Sequence, residues 1–159
     1  MKLRHVILLP LFFCAWAMTA LAQPSSGVVK VRTEEPIYKL KQGAAVQIAV
    51  VLDIENGYHI NSNRPLQAFL IATSLKLDPL KGLTTSRIVY PKAVLKKFAF
   101  SPKPMSVYEG RAVLRFTARA TTLAKGAHTL RGQLRVQACN DEKCLLPRTI
   151  DVGISLEVM

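Results

Sequence analysis

Apolar and polar residues alternate with a period of two along four long stretches of the chain, 45–54, 111–120, 129–138 and 149–158. Successive side chains of a β-strand point to opposite faces, so each stretch is expected to form a strand with one buried and one solvated face. Shorter candidates begin at Val28, Thr73 and Leu83. About seven strands separated by glycine- and proline-containing turns, with no long helical period, indicate an antiparallel β-sandwich of the immunoglobulin-like type.

Two stretches rich in aromatic residues and prolines interrupt this pattern, 54–75 and 96–110. The first could hold a helical turn, but Pro65 favours an irregular crossover. A sandwich places such loops at its ends, where a rigid frame commonly carries functional residues.

The first 22 residues have the features of a secretory signal peptide, because a basic start precedes an apolar run that ends in Ala-Leu-Ala. Cleavage before Gln23 would remove Cys14 and leave a flexible leader, 23–27, and one domain, 28–159. A membrane anchor is the alternative, since the run is nearly long enough to span a bilayer. We expect a periplasmic or otherwise exported protein with no transmembrane segment in its mature chain.

The chain is basic, with 22 Lys and Arg residues against 10 Asp and Glu residues and a net charge of +12. No nucleic-acid-binding motif accompanies this charge, so a nucleic-acid partner is not expected in an exported protein. The positive balance favours acidic partners or an anionic membrane surface, or is simply a solvated basic face.

Signal cleavage would leave two cysteines, Cys139 and Cys144, with four residues between them. Three roles are open for this pair. A structural bridge would close so short a loop that it contributes only about 2 kcal/mol. A zinc or copper site would have to recruit His59, His128 or Met105 from elsewhere, and zinc sites usually show two tight ligand pairs. A redox-active disulfide in a polar loop could be opened by an incoming thiolate.

Four segments resemble the N-terminal periplasmic domain of the thiol:disulfide interchange protein DsbD family. In chain order they are GYHINSNRP, FLIATSLKL, VYEGRAVL and VQACNDEKCLLP. The similarity covers about 28–158 and is strongest to the branch of the family with a Gly-Tyr/Trp-His-Ile-Asn-Ser-Asn motif. The resemblance implies an immunoglobulin-like fold, in agreement with the strand pattern.

The resemblance also implies an electron relay that needs no cofactor, and so a component of a thiol-disulfide oxidoreductase system. Cys139 and Cys144 would be its redox pair, with Cys144 as the attacking thiol. The electron donor would be a thioredoxin-like protein or a DsbD-type membrane protein. The acceptors would be exported disulfide-containing proteins, such as isomerases and cytochrome c biogenesis factors. By analogy, an aromatic cap shields the pair, and Phe98 or Phe100 in the segment KKFAFSPKP occupies the corresponding place.

The sequence departs from the family pattern in three respects. We expect no membrane domain or thioredoxin-like domain to accompany this one, two lysines (Lys96 and Lys97) replace the usual acidic pair before the cap, and the cysteines are separated by four residues where five are common. A non-catalytic immunoglobulin-like binding module with a structural disulfide is therefore the alternative function.

Six residues have both a structural and a functional interpretation. Tyr58, His59 and Asn61 could contact a partner, but we expect Tyr58 to pack beneath a turn and the other two to satisfy backbone groups. Tyr108 is another contact candidate and is expected to be a packing residue. Phe98 and Phe100 could equally be core aromatics on alternate positions of a strand.

Overall fold

The computed structural model describes residues 27–159, so the expected signal peptide, 1–22, and most of the leader lie outside the described part of the chain. Residues 27–159 form twelve β-strands. Their bounds are β1 Val29–Thr33, β2 Tyr38–Leu40, β3 Ala45–Ile54, β4 His59–Asn61, β5 Ser74–Leu77, β6 Leu83–Thr85, β7 Val94–Lys96, β8 Met105–Glu109, β9 Arg111–Ala120, β10 Gly126–Val136, β11 Ala138–Cys139 and β12 Arg148–Val158. This range holds no helix of the length and apolarity that a bilayer crossing requires.

The strands are arranged in three four-stranded sheets. The first has the order β1-β3-β9-β6 and the second the order β2-β12-β10-β5. All pairings in these two sheets are antiparallel except that of β2 with β12. Their apolar faces share one buried cluster, which includes Leu52 and Leu114 from the first sheet and Leu134 and Ile154 from the second. The expected immunoglobulin-like antiparallel β-sandwich is thereby confirmed.

The period-two pattern predicts burial well in three of the long strands. In β9, β10 and β12 buried and exposed residues alternate over most of the length. The central strand β3 differs, because 48–52 is buried on both faces. The outward-facing Val51 is flanked by Arg32 on β1 and Val113 on β9, and these neighbours cover it.

The third sheet, ordered β11-β4-β8-β7, was not anticipated. Its strands continue those of the main sandwich: β4 follows β3, β8 precedes β9, and β11 follows β10 after a single residue, Gln137. One face of the small sheet packs into the main core through Ile60, Tyr108 and Ala138. The opposite face, here called the outer face, carries the residues of interest for function.

Three expectations about strands were wrong. Residues 27–159 contain twelve strands where about seven were expected, because strands of two or three residues are too short for alternation to reveal. The strand expected to begin at Leu83 is formed only over Leu83–Thr85. After this strand, Val89 makes an isolated bridge to Arg115. The expected strand 129–138 is broken at Gln137, where the chain passes from one sheet to another.

The turn at Gly82 packs closely against the backbone of Leu123, and substitution of the glycine tests this packing. Gly82 has φ +83°, and a Cβ built there would lie 2.5 Å from the backbone nitrogen of Leu123. Gly43 has a similar φ of +76° but open space around it. Alanine at either position incurs the left-handed backbone strain of about 1–2 kcal/mol. Gly82→Ala adds the steric clash, so we expect it to lower the unfolding free energy by about 2 kcal/mol more than Gly43→Ala.

Urea unfolding of the two variants and the wild-type protein measures this difference. Equal losses for the two alanine variants would contradict the packing of the turn against Leu123.

Candidate functional site

A disulfide bond joins Cys139, on β11, to Cys144 in the segment that follows, with an S–S distance of 2.07 Å and a Cα–Cα distance of 3.9 Å. The two cysteines lie opposite each other in an antiparallel bridge. Backbone bonds flank the pair, from Leu145 N to Ala138 O at 2.8 Å and from Asn140 N to Lys143 O at 2.9 Å. The cysteines are therefore a non-hydrogen-bonded pair, the arrangement that brings opposite Cα atoms closest.

The side chain of Asn140 shapes the turn between the cysteines. Its Oδ1 atom accepts hydrogen bonds from the backbone nitrogens of Glu142, at 3.0 Å, and Lys143, at 2.8 Å. Asparagine favours turns because it can make such local bonds to the following backbone. The turn thus holds the two cysteines face to face without help from the sulfur atoms.

The two cysteines differ sharply in exposure. Cys139 is fully buried at 0 % exposure, whereas Cys144 is exposed. After Cys144 the chain is anchored by Leu145, which is buried in the main core. An incoming reagent or protein therefore meets Cys144 first.

The register of the small sheet places two side chains, those of His59 and Glu109, in one row with the disulfide. Cys139 lies opposite His59 on β4, and His59 lies opposite Glu109 on β8. Opposite residues of paired strands point to the same face, with Cβ atoms about 5 Å apart. The outer face thus carries the series Cys144, Cys139, His59 and Glu109 across neighbouring strand positions.

An aromatic stack lies over this row. The ring of Phe98 is parallel to that of His59, with 3.9 Å between centroids and an interplanar angle of 16°. Phe100 follows at 5.6 Å from Phe98. Phe98 is 4 % exposed, whereas Phe100 is 37 % exposed. The two phenylalanines follow β7 and are not in a strand, so the alternative that they occupy alternate strand positions was wrong.

Phe98 is held in place by a small apolar cluster. It packs with Leu70, Met105 and Val107, separately from the main core. The segment between β4 and β5, residues 62–73, is here called the crossover loop. It contacts the same region, since Gln67 Nε2 donates a hydrogen bond to Pro104 O at 3.1 Å. The stack over His59 is therefore part of a packed layer that covers the outer face at His59.

The electrostatics of His59 follow from burial and three nearby charges. His59 is only 1 % exposed, and desolvation lowers the imidazole pKa to about 4. Glu109 and Asp141 oppose this shift, and Lys96 reinforces it. Lys96 Nζ bonds Glu109 Oε1 at 2.6 Å, and this bond raises the pKa of Lys96. The ring is therefore neutral at pH 7.

The remaining residues singled out from the sequence take mainly structural positions. Tyr58 is half-buried and packs against the main core, as expected. Asn61 Nδ2 donates to Ile71 O at 3.1 Å, as expected for a residue that satisfies the backbone. Tyr108 is buried, and its hydroxyl donates to Asn63 Oδ1 at 2.6 Å. Burial raises the pKa of Tyr108.

His59 did not behave as expected. We expected its side chain to satisfy a backbone group, but its Nε2 atom is buried and has no hydrogen-bond partner among the described residues.

The metal alternative gains no geometric support within the described residues. No group of three or more His, Cys, Asp and Glu side chains in 27–159 is placed to hold an ion. His128 Nε2 lies 2.8 Å from Ala124 O, and Met105 is packed in the small apolar cluster.

Sequence reasoning missed Gln137 and Glu109 as parts of the site. Gln137 Oε1 accepts bonds from Asn61 Nδ2 and Ile71 N, both at 3.3 Å, and its Nε2 donates to Leu145 O at 3.3 Å. It thereby ties the crossover loop to the cysteine segment. The position of Gln137 two residues before the first cysteine was the available signal.

The fold and the site together define an immunoglobulin-like domain with a disulfide at the edge of an accessory sheet. A sequence profile of the N-terminal region of thiol:disulfide interchange protein DsbD matches residues 28–155. The chain therefore belongs to the DsbD N-terminal domain family and is, in general terms, a thiol:disulfide interchange domain. No curated protein sequence matches the chain.

The solved structures that are similar to the chain include two N-terminal domains of this kind. The N-terminal periplasmic domain of ScsB from Proteus mirabilis has a TM-score of 0.56 at 14 % identity, covering 86 % of this chain and 49 % of that one. The reduced N-terminal domain of Neisseria meningitidis DsbD has a TM-score of 0.46 at 18 % identity, covering 73 % of this chain and 80 % of that one. The chain spans about half the length of the ScsB chain. At this identity the ScsB likeness shows the fold alone.

The depressed pKa of His59 predicts a pH-dependent stability. The unfolded imidazole takes up a proton near pH 6.5, whereas the folded one does so only near pH 4. The neutral ring therefore contributes stability above pH 6.5 that is lost as the pH falls towards 4, by up to about 3 kcal/mol. We expect His59→Phe to lose this part of the pH dependence in urea unfolding between pH 7 and pH 4.

His128→Gln is the matched control, because His128 is only half-buried and lies outside the site. It should keep the wild-type dependence in that range. A His59→Phe profile parallel to that of the wild-type protein would show that His59 is not held neutral by burial.

Proposed function

We propose that this domain exchanges a dithiol for a disulfide with thioredoxin-like partners through Cys139 and Cys144. The observation that carries the proposal is the unequal exposure of the two cysteines, one buried and one exposed, in a disulfide at a sheet edge. Such a bond offers one sulfur to a partner and keeps the other in reserve. Membership of the DsbD N-terminal family supports the same role.

The exchange runs through a mixed disulfide. In the reduced domain the Cys144 thiolate attacks one sulfur of the partner's disulfide, and the partner's other sulfur leaves as a thiolate. The Cys139 thiolate then attacks the Cys144 sulfur, which releases the partner's second sulfur as a thiolate. Two electrons pass to the partner, the domain regains its disulfide, and two protons balance the partner's new thiols. Electron entry from a donor is the reverse sequence.

The aromatic stack provides the cap in this proposal. Phe98 is fixed in the small apolar cluster and Phe100 extends the stack with an exposed edge. His59, on which Phe98 stacks, is the cross-strand neighbour of Cys139. The stack therefore covers the outer face next to the buried sulfur and leaves the Cys144 side to the partner. Tyr58 and Tyr108 hold the sheet beneath the site.

The expected signal peptide, 1–22, and the periplasmic origin of the ScsB domain support export of the domain 28–159. In that location the donor is a thioredoxin-like protein or a DsbD-type membrane protein, and the acceptors are exported disulfide-containing proteins. The chain's positive charge favours partners with an acidic surface around their cysteines.

Single cysteine variants test the order of attack. The reduced Cys139→Ser variant retains the exposed thiol. We expect it to form a stable mixed disulfide with a thioredoxin variant that lacks its second cysteine and whose remaining cysteine is activated as a mixed disulfide with thionitrobenzoate, which leaves as the thiolate. Cys144→Ser retains only the buried thiol and should form little adduct. Non-reducing electrophoresis with mass spectrometry of the linked peptide identifies the cysteine.

The double serine variant is the control for adducts through other groups. Equal trapping by the two single variants, or none by Cys139→Ser, would contradict the assignment of Cys144 as the attacking thiol.

The cap is tested by the rate at which a small thiol reduces the disulfide. Phe100→Ala removes the partly exposed end of the stack without emptying the apolar cluster, so we expect reduction by dithiothreitol to become roughly tenfold faster, a barrier change of about 1.4 kcal/mol. Phe69→Ala is the matched control, because Phe69 is 80 % exposed and outside the stack. The same rate for both variants would show that Phe100 does not shield the bond.

A further inference from the structure

The buried Nε2 atom of His59 lacks a hydrogen-bond partner among the described residues, although the residue is only 1 % exposed. Buried side-chain polar atoms nearly always have a partner, and leaving one without is costly. Stacking against Phe98 restricts the ring but supplies no hydrogen bond. In the oxidised domain this nitrogen therefore makes no hydrogen bond to the described residues, and in the Nδ1–H tautomer of the neutral ring it presents a lone pair.

The residue opposite His59 could supply a hydrogen-bond donor to this nitrogen. Cys139 lies directly opposite His59 on the same face of the small sheet. In the disulfide its sulfur carries no hydrogen. Reduction converts that sulfur to a buried thiol, which has an S–H group to donate. The reduced state therefore creates a donor one strand away from the nitrogen that lacks one.

We propose that His59 accepts the proton of the Cys139 thiol in the reduced domain and so activates Cys139 to resolve the mixed disulfide. This inference rests on the proposed exchange function of the cysteine pair. Without a base, a thiol buried among apolar groups stays protonated, because burial disfavours the thiolate.

Atoms and electrons balance in the proton transfer from Cys139 and in the attack that follows it. The Cys139 S–H bond breaks and its proton passes to Nε2 of the neutral imidazole. The Cys139 thiolate attacks the Cys144 sulfur, a new S–S bond forms, and the bond from Cys144 to the partner breaks. The electron pair leaves with the partner's thiolate, which takes the proton from the imidazolium or from water. No outside oxidant or reductant is needed beyond the partner's disulfide.

The charges around His59 suit this role. Glu109 on β8 and Asp141 in the cysteine turn are acidic, whereas Lys96 on β7 is basic. The Lys96–Glu109 ion pair offsets one of the acids. The ring of the oxidised domain is thus neutral and able to accept a proton. In the reduced domain the thiolate formed beside it, together with the two acids, would offset the burial that lowers the imidazole pKa to about 4.

The test compares His59→Phe, which keeps an aromatic ring in the stack but has no nitrogen, with His128→Gln as the control. The first readout needs no partner. In a Cys144→Ala background, thiolate absorbance is followed in a pH titration of the reduced exported chain. We expect the midpoint of Cys139 to rise by about one pH unit or more with His59→Phe and to be unchanged with His128→Gln.

The second readout is the rate at which the mixed disulfide with thioredoxin is resolved, measured from pH 6 to pH 9 in domains with both cysteines. His59→Phe should slow resolution at least tenfold at pH 7, and the rate should recover as the pH rises. His59→Gln should behave in the same way, since an amide cannot take the proton; it also serves if the phenylalanine variant folds poorly.

The outcomes separate the two proposals. An unshifted Cys139 midpoint, or a resolution profile unchanged by both His59 substitutions, overturns the role of His59 while the exchange function stands. If His59→Phe shifts the Cys139 midpoint but the wild-type domain fails to exchange with thioredoxin, the contact between His59 and Cys139 is supported. The exchange function, on which the resolving role depends, is then contradicted.

Discussion

The pairing of β11 with β4 is the contact on which the site depends. It brings Cys139 opposite His59, two residues that are eighty positions apart in the chain and meet only because the strands of the main sandwich continue into a third sheet. Gln137 makes this possible, since the chain changes sheets at that residue and its side chain bonds both the crossover loop and Leu145. Without this pairing the cysteines would be a loop disulfide with no defined surroundings.

The small sheet has two faces with different tasks. Its inner face is part of the main core through Ile60, Tyr108 and Ala138, so the frame beneath the disulfide is rigid. Its outer face carries the disulfide, an imidazole and a carboxylate, and the aromatic layer stacks on the imidazole. This division fixes the position of the buried cysteine while leaving Cys144 open to a partner. The exchange proposed for this domain requires such an arrangement.

Much of the fold follows from the sequence because local patterns determine it. Alternation is sufficient to predict β9 and β12, and glycines with positive φ mark the turns at Gly57 and Gly110. The cysteine pair stands out from its spacing and its place after a strand. The stack of Phe98 on His59 could not be predicted, since it joins β4 to the segment that follows β7 through a contact of long sequence separation. Burial of His59 likewise depends on a layer that only the assembled chain forms.

The proposed function requires that the Cys139–Cys144 bond is an exchanging disulfide and not a structural one. The most direct test is its reduction potential, measured by equilibrating the folded domain with glutathione buffers and counting free thiols. The account predicts reversible reduction at a potential above about −300 mV, within reach of thiol-exchange partners. A bond that stays oxidised well below that potential would mark the disulfide as structural and contradict the account.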